Sequence, residues 1–215
     1  MKTITISFAT TILLLLATSA TAQTPPPYTV TISMFNDAAV PPAVVDRAEE
    51  IASRIFAQSG IVLHWLPCGR EEESLEEQSA CSQPLFPEHL HVHIVNGPSY
   101  LKDSVYGISY LSAEESGTQA DVFYSKIARF HGAGLSDAGI LLGHAIAHEL
   151  GHLLLGSNSH SMTGIMRGNW CTEDLTHMAQ GSLFFSEGQS RKMKAKLSTF
   201  ALRRDTSFRA VPSAG

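Results

Sequence analysis

An α+β fold is what this chain predicts, and three patterns carry that expectation. A strand, a helix and a second strand follow one another over residues 28–66, the order that joins two parallel strands through a crossover. Leu90, Val92 and Ile94 alternate with His89, His91 and His93, marking a strand with one apolar and one imidazole-bearing face. Residues 137–155 are apolar on nearly every side, which a helix tolerates only when it is buried.

The first strand is expected at residues 28–35, where apolar and polar side chains alternate. Pro41 and Pro42 then introduce a helix that ends near Ser59. Val44, Ala48, Ile51 and Ile55 fall on one stripe, Val45, Ala52 and Phe56 widen it, and Arg47, Glu49, Glu50 and Arg54 are its polar complement. Gly60 stops the helix, and residues 61–66 form the second strand. Residues 67–88 are polar, with Glu71, Glu72, Glu73, Glu76 and Glu77 clustered. That run lacks the Asp/Asn/Gly alternation of a dedicated cation loop and reads as a solvated excursion. His89 and His93 are more than about 12 Å apart on a strand rising about 3.3 Å per residue, so the three histidines there form a half-exposed polar face and share no ion.

Further strands are expected at 105–111 and 121–125, separated by a polar turn at 112–118. Ser136 and Asp137 offer N-cap chemistry to the apolar helix at 137–155. Ser186-Glu187-Gly188-Gln189 has capping-box spacing and starts a last helix that runs to about Phe200, with a polar tail at 201–215.

Residues 1–22 carry the pattern of a cleaved export signal: Lys2, an apolar run at 8–17, and Ala20-Thr21-Ala22 before Gln23. The run is short of the roughly 20 residues that span a bilayer, so no stable membrane association is expected after cleavage. The expected mature domain covers 23–200, a size that buries a real core. Without Lys2, 14 basic residues face 20 acidic ones, and no basic cluster suits a phosphate backbone, so nucleic acid is not an expected partner. Export to periplasm or medium permits disulfides. Cys68 and Cys81 bracket the acidic loop and form the expected bridge, although Cys171 makes three single bridges possible.

The chemistry concentrates in His148-Glu149-Leu150-Gly151-His152. Four residues along a helix return to within about 40° of the same direction, so both imidazoles can reach one ion from one face, with Glu149 beside that face. Buried without a metal, each of these polar groups would cost on the order of 1–3 kcal/mol. A zinc ion held here keeps a position open for water, and Glu149 is placed to take a proton from it. His144 lies one turn before His148, but three ligands from consecutive turns of one helix give poor tetrahedral geometry, so it is assigned to packing or to support. Gly156 suits a left-handed helix end, from which Ser157-Asn158-Ser159 can swing His160 back as third ligand.

These residues resemble the metzincin clan of zinc endopeptidases, whose pattern is H-E-x-x-H-x-x-G-x-x-H followed by a methionine-containing turn. Here the sequence reads His148-Glu149-Leu150-Gly151-His152-Leu153-Leu154-Leu155-Gly156-Ser157-Asn158-Ser159-His160, with Gly164-Ile165-Met166 as the candidate turn. The glycine comes one position late, and the third histidine stands eight residues after His152 where the pattern has six. The resemblance implies a mixed, mostly parallel, twisted sheet with an antiparallel edge strand at 105–111 bordering the cleft. It also implies Zn2+ on His148, His152 and His160, Glu149 as general base, an apolar floor at Met166, and a peptide or protein substrate. Two alternatives stand beside it: a thermolysin-like peptidase taking Glu173, or neighbouring Asp174, as third ligand, and a non-catalytic zinc-binding interaction domain.

Overall fold

The computed structural model describes residues 28–69, 74–132 and 137–209. The expected export signal at 1–22 lies outside them, as do Glu71, Glu72 and Glu73 of the acidic run. Among the described residues the chain is a mixed α/β protein with a five-stranded sheet and six helices. The strands are β1 (Tyr28–Phe35), β2 (Ile61–Cys68), β3 (His89–Val95), β4 (Gly107–Tyr110) and β5 (Gln119–Phe123); the helices are α1 (Pro42–Gln58), α2 (Leu75–Cys81), α3 (Tyr124–Gly132), α4 (Ala138–Leu155), α5 (Thr172–Gln180) and α6 (Glu187–Arg209).

Sheet order is β2-β1-β3-β5-β4. β1 pairs in parallel with both β2 and β3, β3 pairs in parallel with β5, and β4 closes one edge antiparallel to β5. Register places Ile32 opposite both Leu90 and Trp65, so the apolar residues of neighbouring strands point to one side. Val30, Ile32, Met34, Leu90, Val92 and Ile94 are buried there beneath Ala48, Ile51, Ala52, Ile55 and Phe56 of α1 and the whole apolar length of α4. On the other face His89 meets Ser33 Oγ at 2.8 Å, and His93 stacks on Phe35 and pairs with Asp37 at 2.8 Å. His91 lies between them against the rings of His89 and Phe35, its Nε2 buried without a hydrogen-bond partner among the described residues, so the three histidines form a polar face on which only His89 and His93 have side-chain hydrogen-bond partners.

α4 begins and ends as its sequence directs. The Asp137 side chain accepts from the amide of Ile140 at 3.0 Å, and Gly156 ends the helix with φ of 64°, a left-handed conformation that suits glycine. By length and composition α4 could cross a bilayer, yet 94% of it is buried inside the fold. α1 packs directly across it. A Cβ built on Gly143 would lie 2.6 Å from both the Ala48 carbonyl oxygen and the Ile51 Cβ, so this crossing needs the missing side chain.

Four elements depart from expectation, one of them α5, where no helix was expected. The acidic excursion contains α2, because Ser74 and Glu77 form a reciprocal capping box, the Ser74 amide donating to Glu77 Oε2 at 2.8 Å. α3 follows β5 without a loop, cutting short the strand expected to reach residue 125. α6 opens on the expected Ser186–Gln189 box, but it runs on to Arg209 through the segment expected as a polar tail, no proline intervening before Pro212. Cys68 and Cys81 are bonded, tying the end of β2 to the end of α2, and Cys171 is free.

Gly143→Ala is expected to destabilise the protein by about 1–2 kcal/mol in urea unfolding, overpacking against the α1 backbone outweighing the helix-propensity gain of about 1 kcal/mol.

Candidate metal centre

α4 presents His148, Glu149 and His152 from within the core, at 8%, 5% and 5% exposure. Their orientation is set by backbone carbonyls. His148 Nδ1 lies 2.7 Å from the Ile165 carbonyl oxygen, and His152 Nδ1 lies 2.7 Å from that of Ser157. A carbonyl can only accept, so each Nδ1 carries the hydrogen, and in the neutral ring each Nε2 is left with its lone pair. Those two Nε2 atoms face one another at 3.0 Å. Two lone pairs at that distance repel unless a cation lies between them. A proton is a poor candidate, because burial, together with the charge of His152, pushes the His148 imidazole down to about 3; burial lowers His152 as well.

His160 arrives from the loop after Gly156. Its ring stacks toward His148 with centroids 5.3 Å apart and stands edge-on to His152 at 5.0 Å. One nitrogen from each of the three histidines lies within 4.8 Å of the others; His148 and His152 are buried and His160 is exposed. The loop is stiffened by the Ser157–Ser159 hydroxyl pair and by the Ser161 amide, which donates to the Met166 carbonyl at 2.8 Å. The turn from Gly164 to Arg167 closes through the Arg167 amide and the Gly164 carbonyl at 3.1 Å, and Gly164 has φ of 76°. Gly168 gives the His160 ring its place, since a Cβ there would come within 2.9 Å of the ring's Cγ and Nδ1.

Three imidazoles, two of them oriented by carbonyls, are a donor set of the kind zinc takes. Two nitrogens bound to one zinc at 2.0–2.1 Å are at most about 4.2 Å apart, and the 3.0 Å between the Nε2 atoms of His148 and His152 falls inside that limit. Glu173 is exposed and stands outside the three-histidine group. Asp174 is committed elsewhere: its Oδ2 accepts from the Cys171 amide at 2.8 Å and from Arg167 at 3.2 Å. His144, 1% exposed, pairs its Nδ1 with the Ile140 carbonyl at 2.8 Å within its own helix and lies outside the group, in the packing role expected of it.

Glu149 turns its carboxylate toward β4. Oε2 accepts from the Ser109 hydroxyl at 2.6 Å, and burial, partly opposed by that bond, raises the carboxyl to about 7. A cation on the adjacent imidazoles would pull it back down. The three histidines and Glu149 line a cavity of about 280 Å³ whose remaining wall includes Tyr106, Gly107, Ser109, Arg167 and Trp170. Trp170 stacks on Tyr106, sets its edge against His148, and donates its Nε1 hydrogen to the same Ile165 carbonyl that His148 uses, at 3.1 Å. Met166 is buried with its sulfur against Gly151, where a Cβ would come within 2.6 Å.

Several of these residues escape the sequence reading. Gly107 carries a signal, since a lone glycine inside an expected strand marks close approach of another group. Ser109, Trp170 and the carbonyls of Ser157 and Ile165 carry none.

No protein-family model matches the sequence, and no curated protein matches it. Among solved structures, a zinc-dependent peptidase from Methanocorpusculum labreanum (strain Z) is similar at a TM-score of 0.49 and 15% identity, over 75% of this chain and 99% of that one. A likeness of that degree leaves function to be read from the site itself.

His160→Ala is expected to lower zinc affinity at least about 10-fold by calorimetry, with Glu173→Ala unchanged; the reverse result would move the third ligand to Glu173. A second expectation concerns His144, whose imidazole burial lowers from 6.5 to about 4. The unfolded chain binds that proton at higher pH than the folded one, so metal-free protein should lose about 3 kcal/mol of stability as pH falls through this window. Urea unfolding from pH 7 to pH 4 checks it: His148 and His152, also lowered by burial, add to the loss, and His144→Leu should remove only the share of about 3 kcal/mol that belongs to His144.

Proposed function

We propose that this chain is a zinc-dependent peptidase that hydrolyses peptide bonds in a protein or peptide substrate. The observation that carries the reading is the pair of buried Nε2 lone pairs held face to face at 3.0 Å, with an acid on the same helix opening on the same cavity. His148, His152 and His160 would hold the ion. When bound, zinc supplies a Lewis acid that polarises a carbonyl and acidifies water.

The remaining work falls to Glu149. Its carboxylate takes a proton from the attacking water as the carbon–oxygen bond forms, and returns that proton to the departing amine nitrogen as the carbon–nitrogen bond breaks. A carboxylate serves best in this exchange when its pKa stands near the working pH; burial raises that of Glu149, and a cation on the adjacent histidines would oppose that rise. Tyr106 and Trp170 give the cavity an apolar wall against which a substrate side chain can lie.

Within zinc peptidases we read the chain as metzincin-like. Support comes from β4, antiparallel at the sheet edge and lining the cavity; from Gly156, which turns the chain toward His160; and from the turn that buries Met166 beneath α4. The Cys68–Cys81 disulfide is compatible with an exported protein.

Purified protein is expected to cleave a denatured protein substrate and to stop when zinc is chelated. Glu149→Gln should lower turnover by about 100-fold or more with zinc content retained. Undiminished turnover would remove the assignment of Glu149, and a zinc-loaded protein that cleaves nothing would favour the non-catalytic binding domain.

A further inference from the structure

Ser109 is a buried serine in the middle of β4, the strand at the sheet edge. Its hydroxyl oxygen lies 2.6 Å from Oε2 of Glu149 and 2.8 Å from the main-chain oxygen of the same residue. A single side chain thus touches both the mobile end of Glu149 and the helix backbone from which it springs. The hydroxyl has one hydrogen for these two acceptors, so the hydrogen is shared between them, the shorter contact being the one to Oε2. Gly107, two residues earlier, closes the other side: a Cβ there would lie 2.6 Å from Glu149 Cγ and 2.8 Å from Oε1. Serine on one side and bare backbone on the other leave the glutamate chain one slot along the strand.

An unrestrained glutamate has three side-chain torsions to lose, whereas proton transfer demands a single combination of all three. Ser109 is small enough to fit the crowded crossing of β4 and α4 and carries a hydrogen to give. Alanine would fill the same space and leave Oε2 without a donor.

We propose that Ser109 is a positioning residue of the metal site: its hydroxyl holds Oε2 of Glu149 against β4, leaving Oε1 as the oxygen that exchanges the proton with water and with the leaving amine. This deepens the peptidase reading and rests on it. A tie that merely joined β4 to α4 would, on removal, lower stability and loosen the cavity wall, raising KM. A positioning role instead lowers kcat.

The test compares wild type with Ser109→Ala, Ser109→Cys and Ser109→Thr. For each, zinc content, Tm, kcat and KM on a fluorogenic peptide are measured, together with the infrared difference spectrum against the same protein carrying Glu149→Gln, which isolates the Glu149 carboxylate bands. Ser109→Ala and Ser109→Cys are expected to lose about 10- to 100-fold in kcat with KM and zinc content held, and to shift those bands. Ser109→Thr, which keeps the hydroxyl, should recover most of kcat and the wild-type bands. Full kcat in Ser109→Ala, a loss confined to KM and Tm, or unshifted bands would overturn the proposal. Should wild type cleave no peptide at all, the peptidase reading fails separately, and the infrared arm still decides: shifted bands sustain the clamp on Glu149, and unshifted bands refute it.

Discussion

Two backbone carbonyls decide where this site points. Those of Ser157 and Ile165 hold the Nδ1 hydrogens of His152 and His148, and the opposite nitrogens are thereby turned on one another with nothing but lone pairs to offer. Much of the surrounding chain can be understood as what brings those carbonyls to the helix. Gly156 ends α4 in a left-handed turn so that Ser157 doubles back over His152, and the turn at Gly164 aims the Ile165 carbonyl at His148. His160 is carried between the two. Its loop is fastened to the turn by a main-chain hydrogen bond, so His160 and the Ile165 carbonyl belong to one connected segment.

The helix that bears the site is also the centre of the core. α4 touches α1 at Gly143 without an intervening side chain, and its strand-facing surface meets β4 and β5. Packing of this kind fixes rotamers and the distances between them, which a site on a mobile loop cannot match. Its cost is that imidazoles and an acid sit among leucines, where leaving them unpaired is expensive. Each has been given a partner: a carbonyl for every helix histidine and a hydroxyl for Glu149. What those partners leave over, two facing lone pairs, is the attraction for a cation.

Much of the framework was legible because it depends on local rules. Alternation marked β1 and β3, the stripe of Ala48, Ile51 and Ile55 marked α1, the Ser136–Asp137 pair marked the start of α4, and Gly156 marked its end. His148 and His152 declared themselves through helical spacing, and Glu149 through its place between them. His160, expected from ligand chemistry and the glycine before it, stands with His148 and His152 in one three-histidine group. α2, α3 and α5 were missed: the first begins at a capping box hidden in an acidic run, the second starts where a strand ends with no punctuation, and the third opens on Cys171, an unusual cap whose amide is held by Asp174. Ser109 and Trp170 were missed for another reason. Their roles come from β4 and the loop before α5 meeting α4 in space, and no periodicity within either segment encodes that meeting.

Trp170 shares the Ile165 carbonyl with His148 and lies edge-on to its ring, 5.5 Å between centroids. The chain has one other tryptophan, Trp65, whose indole is bonded to Ser53 on α1 at the far side of the sheet. A charge at the histidine cluster would therefore fall beside one indole, while the other lies on β2, at the opposite edge of the sheet from β4.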